Sequence, residues 1–257
     1  MSAFSLRVPA TIFSPYHPWY RHFLKNRDGS RSLPWHDPDP LSAADRRLVS
    51  RSIQQFQLDE WARGRGLLRR ASSHAALTAD PWFLPALKLF IAEEQEHSRI
   101  LGRFLYREGI PQLENHWMDG ISRRLWKLAG LDVSAMVLIT AEVLAMPFYR
   151  ALGDATRSYL LRSICRHILR DEAAHLSYQA LTLGLVRRRL WEGGRIIRSL
   201  CHSALFHGTA VLLWQEHRRV FQAAGWGFRR FWGDSRREFI RLQLRIRQVS
   251  DRTDRRI

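Results

Sequence analysis

Six residues of this chain have the types and spacing needed to hold metal ions: Glu60, Glu94, His97, Glu142, Glu172 and His175. Glu94 and His97 stand three apart in "AEEQEHSRILG", and Glu172 and His175 repeat that spacing in "LRDEAAHLSYQ". On a helix, positions three apart share a face, so each pair offers a carboxylate and an imidazole in one direction. The inward stripe of the first segment is Leu87, Phe90, Ile91, Ser98, Leu101 and Leu105. Glu94 falls roughly 20° from the centre of that stripe and His97 roughly 40°, while Glu93 lies at its edge, roughly 80° away. In the second segment Leu161, Ile164, Cys165, Ile168, Leu176 and Gln179 form the stripe, with Glu172 and His175 in its middle.

Two single acids extend the pattern. Glu60 falls on the stripe of Ile53, Phe56, Gly64 and Leu67, whereas Asp59 points away. Glu142 sits in "VSAMVLITAEVLAMPFY", where the closing tyrosine is the only other ionisable group. A lone buried carboxylate costs several kcal/mol unless it is paired or bound to a metal. The chain order is Glu, Glu-x-x-His, Glu, Glu-x-x-His, which predicts a repeated helix pair. One Glu-x-x-His in an arginine-rich helical chain is more often a surface pair than a ligand set. Two copies on core faces, joined by two core acids in order, predict a dinuclear site of the kind that four-helix carboxylate proteins build. Oxygen-rich ligation with two imidazoles and no thiolate favours iron or manganese.

"RDEAAH" and "EEQEH" resemble the second and first metal motifs of the ribonucleotide reductase small subunit and of acyl-carrier-protein desaturases. The likeness to this ferritin-like di-iron carboxylate superfamily covers about residues 43–187. It implies two iron ions, or a manganese–iron pair, with O2 as co-substrate. The six ligands also become the catalytic residues, acting through the metals. The resemblance further implies that Asp171 hydrogen-bonds the ligand His97; Glu93 holds the matching place on the other helix. Leu101 occupies the position where a reductase small subunit carries its radical tyrosine, and no CxxC follows. What the likeness then implies is an O2-activating oxidase or oxygenase that hydroxylates, desaturates or N-oxygenates a small or carrier-bound substrate. An external electron donor is needed, because no flavin or nicotinamide fingerprint is visible. The alternatives are a tRNA-modifying di-iron hydroxylase and a non-catalytic iron-binding or peroxide-scavenging protein.

The elements that must position these residues are helices, and the class is all-α. Helical periodicity runs over about 43–71, 80–108, 132–150, 155–187 and 194–223, with no strand alternation. The expected fold is a ferritin-like four-helix bundle with a di-metal core over 42–187. Ahead of it stands a Pro- and aromatic-rich arm over 1–41, read as wrapping a neighbour. A C-terminal extension over 188–257 comprises one helix and a basic aromatic tail. Ser42 reads as an N-cap. Gly64 leaves room beside Glu60 for O2 or substrate, or for close helix packing. Pro147 removes the hydrogen bond to the Val143 carbonyl and either kinks its helix or ends it. His207 is the candidate for an extra ligand, against the commoner role of a core histidine with a backbone partner.

Of 257 residues, 41 are Lys or Arg and 24 are Asp or Glu, a net charge of +17. All but Lys25, Lys88 and Lys127 of those bases are arginine, a skew that a GC-rich genome also produces. Nucleic acid is therefore not the favoured partner, although 17 Arg against 6 acids follow Gly184. An acidic acyl carrier protein suits the positive C-terminal face equally well. Two cysteines, Cys165 and Cys201, make no disulfide framework, and the cytoplasm is the expected compartment. The longest near-uncharged run, Val133 to Tyr149, falls short of the ~20 residues of a bilayer span, so no transmembrane segment is expected. A homodimer is compatible with all of this.

Overall fold

The computed structural model describes residues 14–29, 32–38, 40–78, 80–113 and 131–251, with side chains in 61–78 described only for Leu68 and Ala71. Seven α-helices and no strand are present among the described residues, so the all-α class holds. They are α1 (His17–Asp28), α2 (Ala43–Thr78), α3 (Phe83–Arg107), α4 (Leu131–Ala155), α5 (Tyr159–Arg187), α6 (Glu192–Ala223) and α7 (Phe228–Asp251). Ser42 does cap α2, its hydroxyl accepting from the Asp45 N–H at 3.0 Å. Ser158 caps α5 in the same way through Leu161 N–H at 3.2 Å. Each cap satisfies one of the donors that a helix start leaves open.

α2 packs against α3 and α4 against α5, and the two pairs meet through α2 with α4 and α3 with α5. The inward stripes explain this. Leu87, Phe90, Leu101 and Leu105 of α3 are buried, as are Leu161, Ile164, Cys165 and Ile168 of α5. Ile53 and Phe56 of α2 meet the apolar α4, where Phe56 stacks on Phe148 with centroids 3.7 Å apart. α4 runs through Pro147 to Ala155, so that proline does not end the helix.

Two expectations need correction. The arm contains a helix, α1, which carries Pro18 in its first turn and packs on the chain's own α3. Its buried Phe23 lies 5.3 Å from the Tyr178 ring and 5.9 Å from that of His175. The basic tail is likewise helical. α7 lays Phe231, Phe239, Leu242 and Ile246 into the core against α4, α5 and α6. Gly184 of α5 permits that approach, since a Cβ there would stand 2.6 Å from Val249 Cβ. Trp226 donates to Asp154 Oδ2 at 3.2 Å, and the Arg230 guanidinium covers its ring at 4.2 Å.

Candidate metal centre

α3 and α5 face each other with their Glu-x-x-His pairs, and both pairs are buried. Glu94, His97, Glu172 and His175 are each at most 1% exposed. One ligand atom from each of the four lies within 4.8 Å of the others, so this group could hold a metal ion. Glu60 on α2 and Glu142 on α4 are fully buried too. They stand outside the close group of four. Gly64, singled out beside Glu60, falls among the residues whose surroundings lie outside the described side chains.

The two imidazoles are held in the same way from opposite helices. His97 of α3 has its Nε2 3.3 Å from Asp171 Oδ2 of α5. His175 of α5 has its Nε2 2.8 Å from Glu93 Oε2 of α3. Each ring thus sets Nε2 against the acid preceding the opposite helix's Glu-x-x-His, which turns Nδ1 toward the interior. His175 Nδ1 lies 2.7 Å from Glu94 Oε1 and 3.7 Å from Glu172 Oε2. His97 Nδ1 lies 3.8 Å from Glu172 Oε1 and makes no hydrogen bond.

Glu172 is the most telling member. It is fully buried, and neither of its oxygens accepts a hydrogen bond. Distances of 3.7 and 3.8 Å to the two imidazoles exceed hydrogen-bond length. A buried carboxylate with open oxygens is expensive in a protein that gives it no further use. Burial works to lower the pKa of His175, but Glu172, Glu93 and Glu94 outweigh it and hold the imidazole well above its ordinary value. This pocket of negative charge favours a cation. The donor set of carboxylate oxygens and two Nδ1 atoms fits an iron or manganese ion better than a thiolate-seeking one.

Three further side chains belong to the surroundings. Tyr149, seven residues after Glu142, donates its hydroxyl to Glu60 Oε1 at 3.1 Å. His167, one turn before Asp171, brings Nε2 to 3.5 Å from Asp171 Oδ2. Glu93, read from its angle as an edge residue, reaches inward to His175. A cavity of about 480 Å³ has Glu93, His97, His167 and Asp171 among its lining residues. His207 donates Nδ1–H to the Ser203 carbonyl of its own helix at 2.7 Å, and its ring lies 5.3 Å from that of Trp232. No family model, curated protein or solved structure matches the chain.

Proposed function

We propose that the chain is an O2-activating non-haem di-iron oxidase or oxygenase, with α2 to α5 forming a ferritin-like bundle around the metals. The observation that carries this reading is the reciprocal tethering of His97 and His175, which turns both Nδ1 atoms toward Glu94 and Glu172. One close group of four is compact enough for one ion. The second ion draws on Glu60 and Glu142, the two fully buried acids supplied by the other helix pair. Bound ferrous ions would supply electrons to O2 and so an oxidant able to attack C–H or N–H bonds.

The protein's own groups prepare that chemistry. Glu93 and Asp171 fix the ring orientation and place the N–H on Nε2, as outer partners of metal-bound histidines do. Tyr149 orients the Glu60 carboxylate from α4. Phe90, with its ring 4.7 Å from that of His175, and Phe23 beyond it keep water from the α3–α5 side. The substrate is a small or carrier-bound organic molecule, and the electrons come from an external donor.

The test is O2 uptake by iron-loaded, anaerobically reduced protein, followed with an oxygen electrode. Uptake in proportion to bound iron, sustained when a reductant and small-molecule cell extract are added, is the expected outcome. Protein that carries its iron yet leaves O2 untouched would contradict the oxygenase reading while leaving the metal site in place.

A further inference from the structure

α6 is apolar on both sides, and only one side is covered. Its inner side buries His202, Phe206, Ala210 and Val220. The opposite side carries Ile197, Leu200, Ala204, Gly208 and Val211, which recur at intervals of three or four residues and so form one stripe. Leu200 is 65% exposed and Ile196 and Ile197 are each 55% exposed, with Val211 and Leu212 also open. Trp191, 73% exposed, stands at the start of the helix. Among the described residues two helices are long and apolar enough to cross a bilayer by length and composition, and they differ in one respect. The apolar stretch of α4 is 83% buried, as befits a core helix, whereas that of α6 is 17% buried.

We propose that this outward face of α6 docks the protein on an anionic lipid bilayer, lying in the interface rather than crossing it. Charge selects the occupant. Between Gly193 and Gln215 there is no acid, and exposed Arg218 and Arg219 follow the stripe while exposed Arg188 and Arg189 precede it. The chain as a whole carries +17. A second copy of the same face would bring like charge to like charge, whereas an anionic surface attracts it. An apolar stripe flanked by arginine, with a tryptophan at one end, is the pattern of an interfacial helix. Residues 196–212 span roughly 24 Å, long enough to rest along the headgroup boundary. Crossing is ruled out by the inner side: His202 Nε2 is bonded to Thr140 of α4 at 3.1 Å, and its Nδ1 to Gln243 of α7 at 2.9 Å. Lifting α6 into lipid would break both.

The test is flotation of the full chain with vesicles of phosphatidylglycerol and phosphatidylcholine in equal parts, against pure phosphatidylcholine. We expect the chain to float with the anionic vesicles and much less with the neutral ones. Leu200→Glu combined with Val211→Glu should weaken that binding by more than about tenfold, since each exposed side chain buries in the interface. Both positions face outward, so the melting temperature should stay at the wild-type value. As a second readout, an environment-sensitive fluorophore on Cys201, the exposed cysteine at the edge of the stripe, should shift to the blue on anionic vesicles. Buried Cys165 is protected from the label. Protein that stays unbound, a double variant that floats like wild type, or a dimer that the double variant dissolves would each overturn the proposal.

Discussion

Buried histidine is treated in opposite ways in two regions of this molecule. In α6, His202 is fully enclosed and both nitrogens have neutral or donating partners. Gln243 Nε2 lies 2.9 Å from Nδ1, and Nε2 lies 3.1 Å from the Thr140 hydroxyl, which itself donates to Met136 O. Burial, with the Arg187 charge beside it, pushes that imidazole down to about 3. Between α3 and α5, His97 and His175 each spend one nitrogen on a carboxylate and turn the other toward more carboxylates. Burial alone therefore does not mark a ligand. The mark is the second nitrogen: satisfied by hydrogen-bond donors in the first region, and left facing anions in the second.

Removing metal should separate the regions most strongly. A site bound only in the folded state, at a thousand times its dissociation constant, contributes about 4 kcal/mol by mass action. Chelation should therefore lower the melting temperature clearly in a thermal scan of metal-loaded protein. His202→Gln should leave that drop unchanged. An apo protein that melts no lower would place the acids outside a shared metal site.

Breaking one tether is the next largest effect. Asp171→Asn keeps the shape of the group that holds His97 but loses the charge. It should weaken metal binding about tenfold to a hundredfold in a chelator-competition titration. Glu93→Gln should do the same through His175. Unchanged affinity in both would mean that the carboxylates do not orient the rings.

Acid should act on the α6 region in a smaller way. The folded pKa of His202, about 3, lies below its unfolded value, so below about pH 6.5 the unfolded chain binds a proton that the folded one refuses. This share of stability is complete above that pH and is lost as pH falls toward 3. By pH 5.5 the loss amounts to about 1.4 kcal/mol. Chelated wild type and chelated His202→Gln, melted between pH 7.5 and 5.5, should converge by that amount. Parallel curves would show that His202 accepts a proton without cost.

Much of the site was legible because its acids and imidazoles sit on otherwise apolar stripes of known period. Glu94, His97, Glu172 and His175 follow from that conflict alone. Glu93 was harder, since a wheel angle records where the Cα points and not how far a glutamate reaches across to the facing helix. His167 and Tyr149 carried a signal in their spacing, four before Asp171 and seven after Glu142, which becomes informative only once those acids are taken as fixed points. α1 was illegible for a different reason. It has 12 residues, too few to be stable alone, and forms because Phe23 packs on α3 and α5. α7 shows a regular apolar period in Phe231, Phe239, Leu242 and Ile246, but its arginines made the segment read as a tail. α6 was legible as one helix of the C-terminal extension, but only the packing shows which of its sides is left uncovered.

The central claim is tested most directly by counting metal. Protein produced with iron, desalted and analysed by inductively coupled plasma mass spectrometry, should hold about two ions per chain, the number that a di-iron carboxylate site takes. Glu94→Ala with Glu172→Ala should remove most of them while His202→Gln keeps both. Full occupancy in the Glu94 and Glu172 double variant, or wild-type protein with no bound metal, would contradict the account.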